Sequence, residues 1–293
     1  MLRIAGSLFG LLLTLCSLSA PAENALRVNA MHYPAWLVRN YQTSPLQPGT
    51  SLQANDLIRT GEGGRVQLHL ADGSEIKLGE SSRFIIQNVP ADSAVPVSFQ
   101  ILRGVFRIIP PVLDSGSSKS RLEINIGAIN AAIRNAEIWG RADLAQDAVC
   151  LLAGELSVGA AGASRVDIDQ ALSCYVKPRD RAPLPVDKID MRQHQLWMAE
   201  TDLEDDSGIV AEGGQWQLVL ISLNDSNSAE RVLKSFHQSG FAALDKTVVR
   251  QGRTLHRLLL PGFESIDAAL NARARIERQL GLSETWVWKT NQD

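Results

Sequence analysis

The stretch "RVQLHLADGSEIKLG", residues 65–79, decides how the first half of the chain folds. Apolar residues alternate with polar ones on both sides of Asp72-Gly73. An Asp-Gly pair between two alternating apolar runs is the strongest short-range signal of a β-hairpin. The stretch therefore predicts two paired strands, in which the short side chains of Asp72 and Ser74 bond the backbone of the turn.

Further short runs with strand periodicity follow this hairpin. They are "RFIIQNV", "VSFQILRGVFRIIP", "RLEINIG", "AVCLLAGELSV" and "VDIDQALSCYVK". Gly104 and Gly154 each interrupt an apolar alternation, as a bulge or a tight bend would. Many short strands with almost no helical periodicity predict an all-β domain over residues 50–177, built as a sandwich, a barrel or a short solenoid.

Five motifs in this region follow the order that is typical of the FecR domain. They are "ANDLIRTG", "QLHLADGSEIKLGESSRF", "ILRGVFRI", "INIGAINAAIRNAEIWG" and "CLLAGELSV". Residues 50–177 therefore resemble that family, with Asn135-Ala136 standing where the family has Gly-Thr, which predicts an altered turn. The resemblance implies a periplasmic domain that contacts other proteins. Regulators of sigma factors in this family need a cytosolic segment and a retained membrane helix, and the sequence shows neither, which argues against that role.

The first 22 residues are typical of a secretory signal peptide. Arg3 precedes an apolar run of about 15 residues, and small residues lead up to an expected cleavage site after Ala22. A retained membrane anchor is the alternative, for which the run is short, since a span needs roughly 20 residues. The mature chain is thus expected in the periplasm without a membrane span, and its residues 23–49 form an N-terminal segment of unassigned structure.

Two cysteines, Cys150 and Cys174, remain once Cys16 has left with the signal peptide. Two cysteines in an oxidising compartment most often pair, so the sequence predicts a disulfide that stabilises the fold by roughly 3 kcal/mol. A metal site or a redox pair is the alternative, but there is no CxxC motif and the five histidines are scattered singly. We expect no metal and no cofactor.

Residues 178–214 change in character and are interpreted as a linker. Prolines break the strand pattern, and "DKIDMRQHQLWMAE" predicts a short amphipathic helix with Ile189, Leu196 and Trp197 on one face. The acidic stretch "TDLEDDSGIVAEGG" that follows is typical of a solvated connector.

The last segment, residues 215–293, alternates between strand and helix periodicity. Four strand runs, "WQLVLISL", "FAALDKTVV", "TLHRLLL" and "TWVWKT", surround two helical runs. Serines are expected to cap the first helix, while Ser265 begins and Gly281 ends the second, which is expected to be buried through Ile266 and Leu270 among others. The order β-α-β-β-α-β predicts an α+β, ferredoxin-like domain with two helices on one side of a four-stranded sheet and the other face open.

Open four-stranded sheets also occur in RNA-binding modules. Those modules need aromatic-rich strands and a basic surface, whereas this chain has 29 basic against 32 acidic residues and is expected to be exported. We therefore expect no nucleic-acid partner.

The better match is the SPOR domain, which residues 215–290 resemble. The motifs that carry the resemblance are "LVLISL", "SAERVLKSFHQSGF", "LHRLLLPGF", "DAALNARARIERQLG" and "TWVWKT". Domains of this family bind peptidoglycan and prefer glycan strands stripped of their stem peptides. The resemblance implies binding through the open sheet face and its edge.

The family pattern transfers to this chain only in part. Ser222 and Arg257 match the family's serine and arginine, whereas Val219 stands where the family has a glutamine. Trp286 and Trp288 alternate onto one face of the last strand, where their rings could stack on sugars. The alternatives are that the tryptophans pack under the helices or against the first domain, and that Arg257 is an ordinary exposed cation. The candidate glycan-binding residues are Ser222, Arg257, Trp286, Trp288, Val219 and Leu255.

The expected function is that of a periplasmic, non-enzymatic protein that binds peptidoglycan, with a role at division sites as one possibility. The FecR-like domain is expected to contact a protein partner. The alternative is an interaction or signalling accessory protein whose SPOR-like domain no longer binds glycan. An enzyme that acts on cell-wall material is the least favoured reading, because no nucleophile with its base, paired carboxylates or metal-ligand spacing is visible.

Overall fold

The computed structural model describes residues 26–90, 95–111, 121–203 and 208–290. The predicted signal peptide at residues 1–22 lies outside these ranges. Within them the chain is mostly β-strand, with three α-helices. None of these helices is long and apolar enough to cross a membrane.

Fourteen strands build the described residues of the first part of the chain. They are β1 (Leu26–His32), β2 (Ala35–Arg39), β3 (Gln42–Pro45), β4 (Leu57–Thr60), β5 (Arg65–Leu70), β6 (Glu75–Leu78), β7 (Arg83–Asn88), β8 (Val97–Ile109), β9 (Arg121–Ile126), β10 (Ile129–Ala142), β11 (Gln146–Ala160), β12 (Val166–Ile168), β13 (Ser173–Pro178) and β14 (Asp187–Lys188). From the sequence, the β domain is expected to begin at residue 50. In the structure β1, β2 and β3 precede that point and already belong to the sheet, since β1 pairs antiparallel with β5.

These strands form two layers that share their longest members. One layer runs β1-β5-β6-β8-β10-β11-β13-β14. The other runs β3-β2-β4-β7-β8-β9-β10-β11-β12. Strands β8, β10 and β11 have 13 to 15 residues each and contribute one end to each layer. Apolar side chains from both layers belong to one core cluster, so the arrangement is a sandwich closed by bent strands.

The bends lie at three residues with a positive φ, namely Gly104 (102°), Asn135 (49°) and Gly154 (86°). A Cβ atom at Gly154 would lie 2.5 Å from the carbonyl oxygen of Asn135, so glycine is required there by both conformation and contact. The bends expected at the two glycines are confirmed. Because asparagine tolerates the left-handed region better than most residues, Asn135 makes the third bend without the family's glycine.

The hairpin at residues 65–79 forms as predicted, with Val66 opposite Leu78 and Leu68 opposite Ile76. Gly73 takes a φ of 86°, and the Asp72 carboxylate accepts a 2.8 Å hydrogen bond from the backbone N–H of Ser74. The alternate apolar side chains of β5 are buried. This local pattern is sufficient to fix the register.

The predicted linker contains helix α1 (Met191–Thr201), which begins at the N-cap Asp190. The Trp197 ring stacks on the Trp139 ring of β10 and so holds the helix against the outer face of the sandwich. The neighbouring Leu196 is 57% exposed, so the predicted apolar face is wrong at this residue. The reason is geometric, because adjacent residues point about 100° apart on a helix. Trp197 points toward the sheet, so Leu196 points away from it.

The predicted disulfide between Cys150 and Cys174 is present. The two residues lie directly opposite each other on β11 and β13. They form a small apolar cluster together with Val105 and Trp139, against which Met198 of α1 packs. The disulfide thus lies under the linker helix.

The second part of the chain begins with the short strand β15 (Val210–Ala211). The remaining elements are β16 (Trp216–Leu223), α2 (Ser226–Gln238), β17 (Leu244–Arg250), β18 (Arg253–Phe263), α3 (Ile266–Leu280) and β19 (Trp286–Lys289). The strands from β16 onward form an antiparallel sheet in the order β17-β18-β16-β19. Buried residues of α2 and α3 join the core cluster on one side of this sheet, which is the split β-α-β arrangement.

The ends of these helices follow simple capping rules. Asp225, and not the expected serines, caps α2 by accepting a 2.8 Å hydrogen bond from the N–H of Ser228. Ser265 caps α3 as predicted, through a 2.9 Å bond from the N–H of Ala268. Gly281 ends α3 with a φ of 64°.

Helix α3 packs through small residues. Its buried positions include Ala272 and Ile276, whereas Ile266 and Leu270 are 42% and 45% exposed, so the predicted burial of these two residues is wrong. A Cβ atom at Gly208 would lie 2.8 Å from the Cβ of Ala272, which shows how closely the backbone approaches the helix. Such an approach favours alanine on the inner face and leaves the larger side chains outside.

The two parts of the chain contact each other on the helix side of the C-terminal sheet. Strand β15 pairs with both β1 and β18 and so joins the two sheets. The Trp36 indole N–H donates a 3.0 Å hydrogen bond to the carbonyl of Gln238 at the end of α2. The Arg275 guanidinium of α3 donates to the carbonyl oxygen of Tyr33. The opposite face of the C-terminal sheet therefore points away from the first part.

Candidate functional site

The face of the C-terminal sheet that lies opposite the helices is the candidate site, and we call it the open face. Strand register assigns its side chains, because directly opposite residues point to the same side. A bulge after Val219 brings Ser222 to this side, opposite Arg257. The open face comprises Gln217, Val219, Ser222, Leu244, Lys246, Val248, Arg250, Arg253, Leu255, Arg257, Leu259, Trp286 and Trp288.

Both tryptophans of the last strand lie on the open face and are half-buried. Val287, which lies between them, packs against the core on the helix side. Trp286 and Trp288 therefore pack neither under the helices nor against the first part of the chain, which excludes the two structural alternatives for them. Each presents part of its ring to solvent.

Arg257 and Trp288 form a cation–π pair, with 5.9 Å between the guanidinium carbon and the ring centroid. The Nε atoms of both side chains are buried and have no hydrogen-bond partner among the described residues. The guanidinium thus lies over the ring in a cation–π contact. The pair brings apolar area and positive charge together on the open face.

Val219 is 1% exposed and therefore does not offer its side chain to a ligand. It lies opposite Trp286 and supports that ring from below, which corrects its place in the predicted binding set. Gln217, opposite Trp288 and 5% exposed, puts an amide on the same face that the sequence analysis did not consider. Because alternate residues of a strand point to the same face, the position of Gln217 two residues before Val219 could have identified it.

The remaining candidates come together as a group. Ser222 is exposed, and Leu255 and Arg257 are half-buried on the same side of β18. With the two tryptophans they form a continuous surface across β18, β16 and β19.

Three cations of the open face, Lys246, Arg250 and Arg253, are not among the site residues predicted from the sequence. Lys246 lies directly opposite Arg257, and Arg250 lies directly opposite Arg253. No aspartate or glutamate occupies an open-face position in the four described strands. Asp245 points to the other side, where its carboxylate oxygen lies 2.8 Å from Nδ1 of His256.

The part of the chain that the structure describes contains no cluster of three or more histidine, cysteine, aspartate or glutamate residues that could hold a metal ion. The chemistry that the open face offers is stacking on aromatic rings and hydrogen bonding from cations.

Comparison with protein families gives two separate matches. Residues 56–164 match the family described as FecR protein, and residues 212–288 match the family described as SPOR domain. The FecR family is associated with signalling and anti-sigma proteins, and the SPOR family with peptidoglycan binding; both comprise binding and regulatory domains without catalytic activity. No protein with a curated description matches the chain.

Two solved structures show a distant likeness to most of the chain. Both are crystal structures of a candidate anti-sigma factor from Parabacteroides distasonis ATCC 8503, at 2.50 Å and 1.65 Å resolution. They are 12% and 15% identical, with TM-scores of 0.40 and 0.41, and the matches cover 81% and 80% of this chain and 99% of each of theirs. Such TM-scores carry no weight for fold or function.

The two family matches agree with the motifs in the sequence, and the open face lies entirely within the second match. The chain therefore contains a FecR domain at residues 56–164 followed by a SPOR domain at residues 212–288.

Proposed function

We propose that this protein binds denuded peptidoglycan glycan strands in the periplasm without catalysing a reaction. The open face of the SPOR domain is the binding surface, and the FecR domain contacts a protein partner.

The observation that carries the proposal is the accessible platform of Trp286, Trp288 and Arg257. Indole rings present apolar surface to the faces of sugar rings, and the guanidinium supplies hydrogen-bond donors for the oxygens at their edges. The rings are held from below by buried side chains, among them Val219, so little side-chain freedom is lost when a ligand is bound.

The orientation of the two domains also supports the proposal. The FecR side of the molecule contacts the ends and flanks of α2 and α3, through Trp36 and Tyr33. A glycan strand is a long ligand, and it can cross the open face without meeting the described residues of the first part of the chain. Burial of the site against the first domain would have made such binding impossible.

The periplasm is the proposed location because of the disulfide and the N-terminal signal. The Cys150–Cys174 bond is typical of proteins in oxidising compartments. The predicted signal peptide would deliver the chain to such a compartment after cleavage near Ala22.

The test is sedimentation of the full mature protein with sacculi treated with an amidase that removes the stem peptides. We expect enrichment over intact sacculi, and Trp286→Ala and Trp288→Ala should each weaken binding about 2- to 10-fold, the value of one aromatic contact. Tyr41→Ala is the matched control, because Tyr41 is a fully exposed aromatic at the tip of the β2–β3 hairpin. Equal binding to both kinds of sacculi, or equal loss in the control, would contradict the proposal.

The proposed protein contact of the FecR domain is supported by two exposed apolar residues whose neighbours in sequence line a cavity. Leu102 and Leu144 are 44% and 81% exposed. Their neighbours in sequence, Arg103 and Asp143, line a cavity of about 280 Å³. A photo-crosslinking residue at position 144 should capture a defined partner in the periplasm, and the same residue at Tyr41 should not. Capture at both positions alike would argue against a specific contact.

A further inference from the structure

The end of α1 lies on a row of positive charges in the FecR domain. The row crosses the neighbouring strands β5, β6, β8 and β10 on the outer side of the sandwich, and its members are Arg65, Lys77, Arg107 and Arg141. We call the part of the sheet that α1 overlies the covered face. The Arg65 guanidinium donates a 3.1 Å hydrogen bond to the carbonyl oxygen of Ala199. The Arg141 guanidinium lies 2.5 Å from the Glu200 carboxylate.

The C-cap residue Asp202 completes this contact. Its carboxylate oxygen lies 2.8 Å from Nζ of Lys77 and 3.1 Å from the guanidinium of Arg107. A helix carries a partial negative charge at its C-terminus, so the acidic end of α1 and the cations of the covered face attract each other. With the ring of Trp197 stacked on Trp139, the covered face therefore holds a helix by an aromatic ring and by carboxylates that follow within about one turn.

The contact leaves several polar groups unsatisfied. Four buried polar atoms of α1 and of the strands beneath it have no hydrogen-bond partner among the described residues. They are Nδ1 of His194, Oε2 of Glu200, Nε of Arg65 and Nε1 of Trp139. A buried polar group without a partner destabilises the contact that buries it. The helix therefore matches the covered face in kind but not atom by atom.

Helix α1 is also held by few apolar contacts. Met191 and Leu196 are both more than half exposed. The side chains of the Arg141–Glu200 ion pair are each about one third exposed, and such pairs contribute little to stability. The ring stack of Trp197 is thus the main attachment, and α1 can leave the sheet at a smaller cost than a strand of the core.

The cavity of about 280 Å³ opens where α1 ends. Glu200 of α1 lines it together with three guanidinium groups, those of Arg65, Arg103 and Arg141. The other carboxylates in its lining, Glu80 and Asp143, already accept hydrogen bonds from backbone N–H groups. When α1 leaves and takes Glu200 with it, the guanidinium groups are therefore available to the carboxylate of another segment.

We infer that the covered face is the contact site for the protein partner of the FecR domain, and that α1 occupies it as a displaceable strap. This inference rests on the proposed function. The partner segment is a helix that ends in acidic residues and carries an aromatic side chain one turn earlier, because α1 presents this arrangement to the same cations. A segment that also satisfies the unpartnered buried atoms gains hydrogen bonds that α1 lacks. These offset the advantage that α1 has as part of the same chain.

The test uses a fluorescent peptide of residues 189–203, which contains α1, as the surrogate of the partner segment. The receptor is the full mature protein with Trp197→Ala/Glu200→Gln/Asp202→Asn, which releases α1 and leaves the covered face unchanged. We expect saturable binding of one peptide to the released protein. The wild type should bind the peptide at least about tenfold more weakly, because its own α1 competes at a high effective concentration.

Changes in the peptide test the two recognition elements separately. Peptides with Trp197→Ala or with Glu200→Gln/Asp202→Asn should each bind the released protein about tenfold more weakly. Salt should weaken binding of the unchanged peptide more than that of the peptide without the two carboxylates. The Leu196→Ala peptide is the matched control and should bind like the unchanged one, because Leu196 points to solvent. Equal binding of all the peptides would mean that the covered face recognises neither feature, and the inference would be wrong.

Hydrogen exchange of the wild type adds a measurement that needs no variant. The amide hydrogens of α1 should exchange through local opening, at a lower free energy than those of β10. Exchange of both elements through global unfolding alone would show that α1 is a fixed part of the domain, which overturns the inference.

The outcomes also separate this inference from the proposed function. If the released protein does not bind the peptide, the inference fails, while glycan binding and capture at position 144 stand. If capture at position 144 fails although the peptide binds, the protein contact proposed for the FecR domain is wrong, and the covered face serves only α1.

Discussion

The indole rings of Trp139 and Trp197 stack face to face, with 3.9 Å between their centroids and an interplanar angle of 2°. Trp139 belongs to the sandwich and is 1% exposed, whereas Trp197 belongs to the helix of the predicted linker. Composition alone describes the segment around Trp197 as a connector, and this contact joins it to the outer face of the first domain. It also covers the disulfide cluster on the outer face of the sheet.

Trp197→Ala is expected to destabilise the protein by about 2–3 kcal/mol, below the usual cost of a fully buried tryptophan because Trp197 is only half-buried. Helix α1 should detach locally, so its amide hydrogens should exchange faster than those of β10. Leu196→Ala on the same helix is the control, and its 57% exposure predicts a change within about 0.5 kcal/mol. Urea unfolding of both variants checks the result. Equal losses would show that the stacking does not hold the helix.

The local elements of this fold could be predicted from the sequence because their signals are local. The hairpin at residues 65–79 needs only its alternation and its Asp-Gly turn, and α3 needs only Ser265 and Gly281 at its ends. Strand β1 was missed because its last three residues, Ala30, Met31 and His32, are all buried and so show no alternation. That end of β1 is covered by β15 and the C-terminal domain, and a contact between residues 180 positions apart leaves no local pattern.

Gly154→Ala is expected to cost more than 3 kcal/mol, because a Cβ atom there would lie 2.5 Å from the carbonyl oxygen of Asn135. The matched control is Gly162→Ala. Gly162 has a similar positive φ of 77° but nothing within 4 Å of its added Cβ, so only the conformational cost of about 1–2 kcal/mol remains. The difference between the two free energies of unfolding measures the contact at the bend. A difference near zero would mean that the strand relaxes around the new methyl group.

Arg275 holds the two domains together by donating to the carbonyl oxygens of Tyr33 and Gly63. Arg275→Met keeps most of the aliphatic contact and removes the donors, so we expect a loss of about 2–3 kcal/mol for hydrogen bonds from a charged group. Arg278→Met on the exposed side of the same helix should change stability by less than about 0.5 kcal/mol. Urea unfolding checks both variants, and a similar stability of the two would show that the domain contact does not depend on this guanidinium.

The candidate site could be predicted only as far as single strands allow. The alternation of Trp286 and Trp288 is visible in the sequence, and both lie on the open face. The burial of Val219 could not be foreseen, because the ring that covers it comes from β19, more than 60 residues later. The charge pairs across the β17–β18 turn require the register of that hairpin, which the sequence analysis did not assign.

The domain contact also makes stability depend on pH through His32, which is 4% exposed. Burial, followed by the positive charges of Arg275 and Arg65, lowers the pKa of His32 from 6.5 to about 3. Between pH 6.5 and about 3 the unfolded chain binds one more proton at this residue than the folded chain does. The free energy of unfolding therefore falls as the pH falls, by about 1.4 kcal/mol per pH unit from this group.

His32→Gln removes this titration because an amide does not bind a proton in this range. Between pH 6.5 and pH 4.5 the variant should lose about 2–3 kcal/mol less stability than the wild type, whatever its stability at pH 6.5. Urea unfolding of both proteins at the two pH values measures this difference, and the other titrating groups cancel because they are common to both. If the variant and the wild type lose the same amount, then His32 is protonated at no cost to the fold, and the contact between the domains does not keep it neutral.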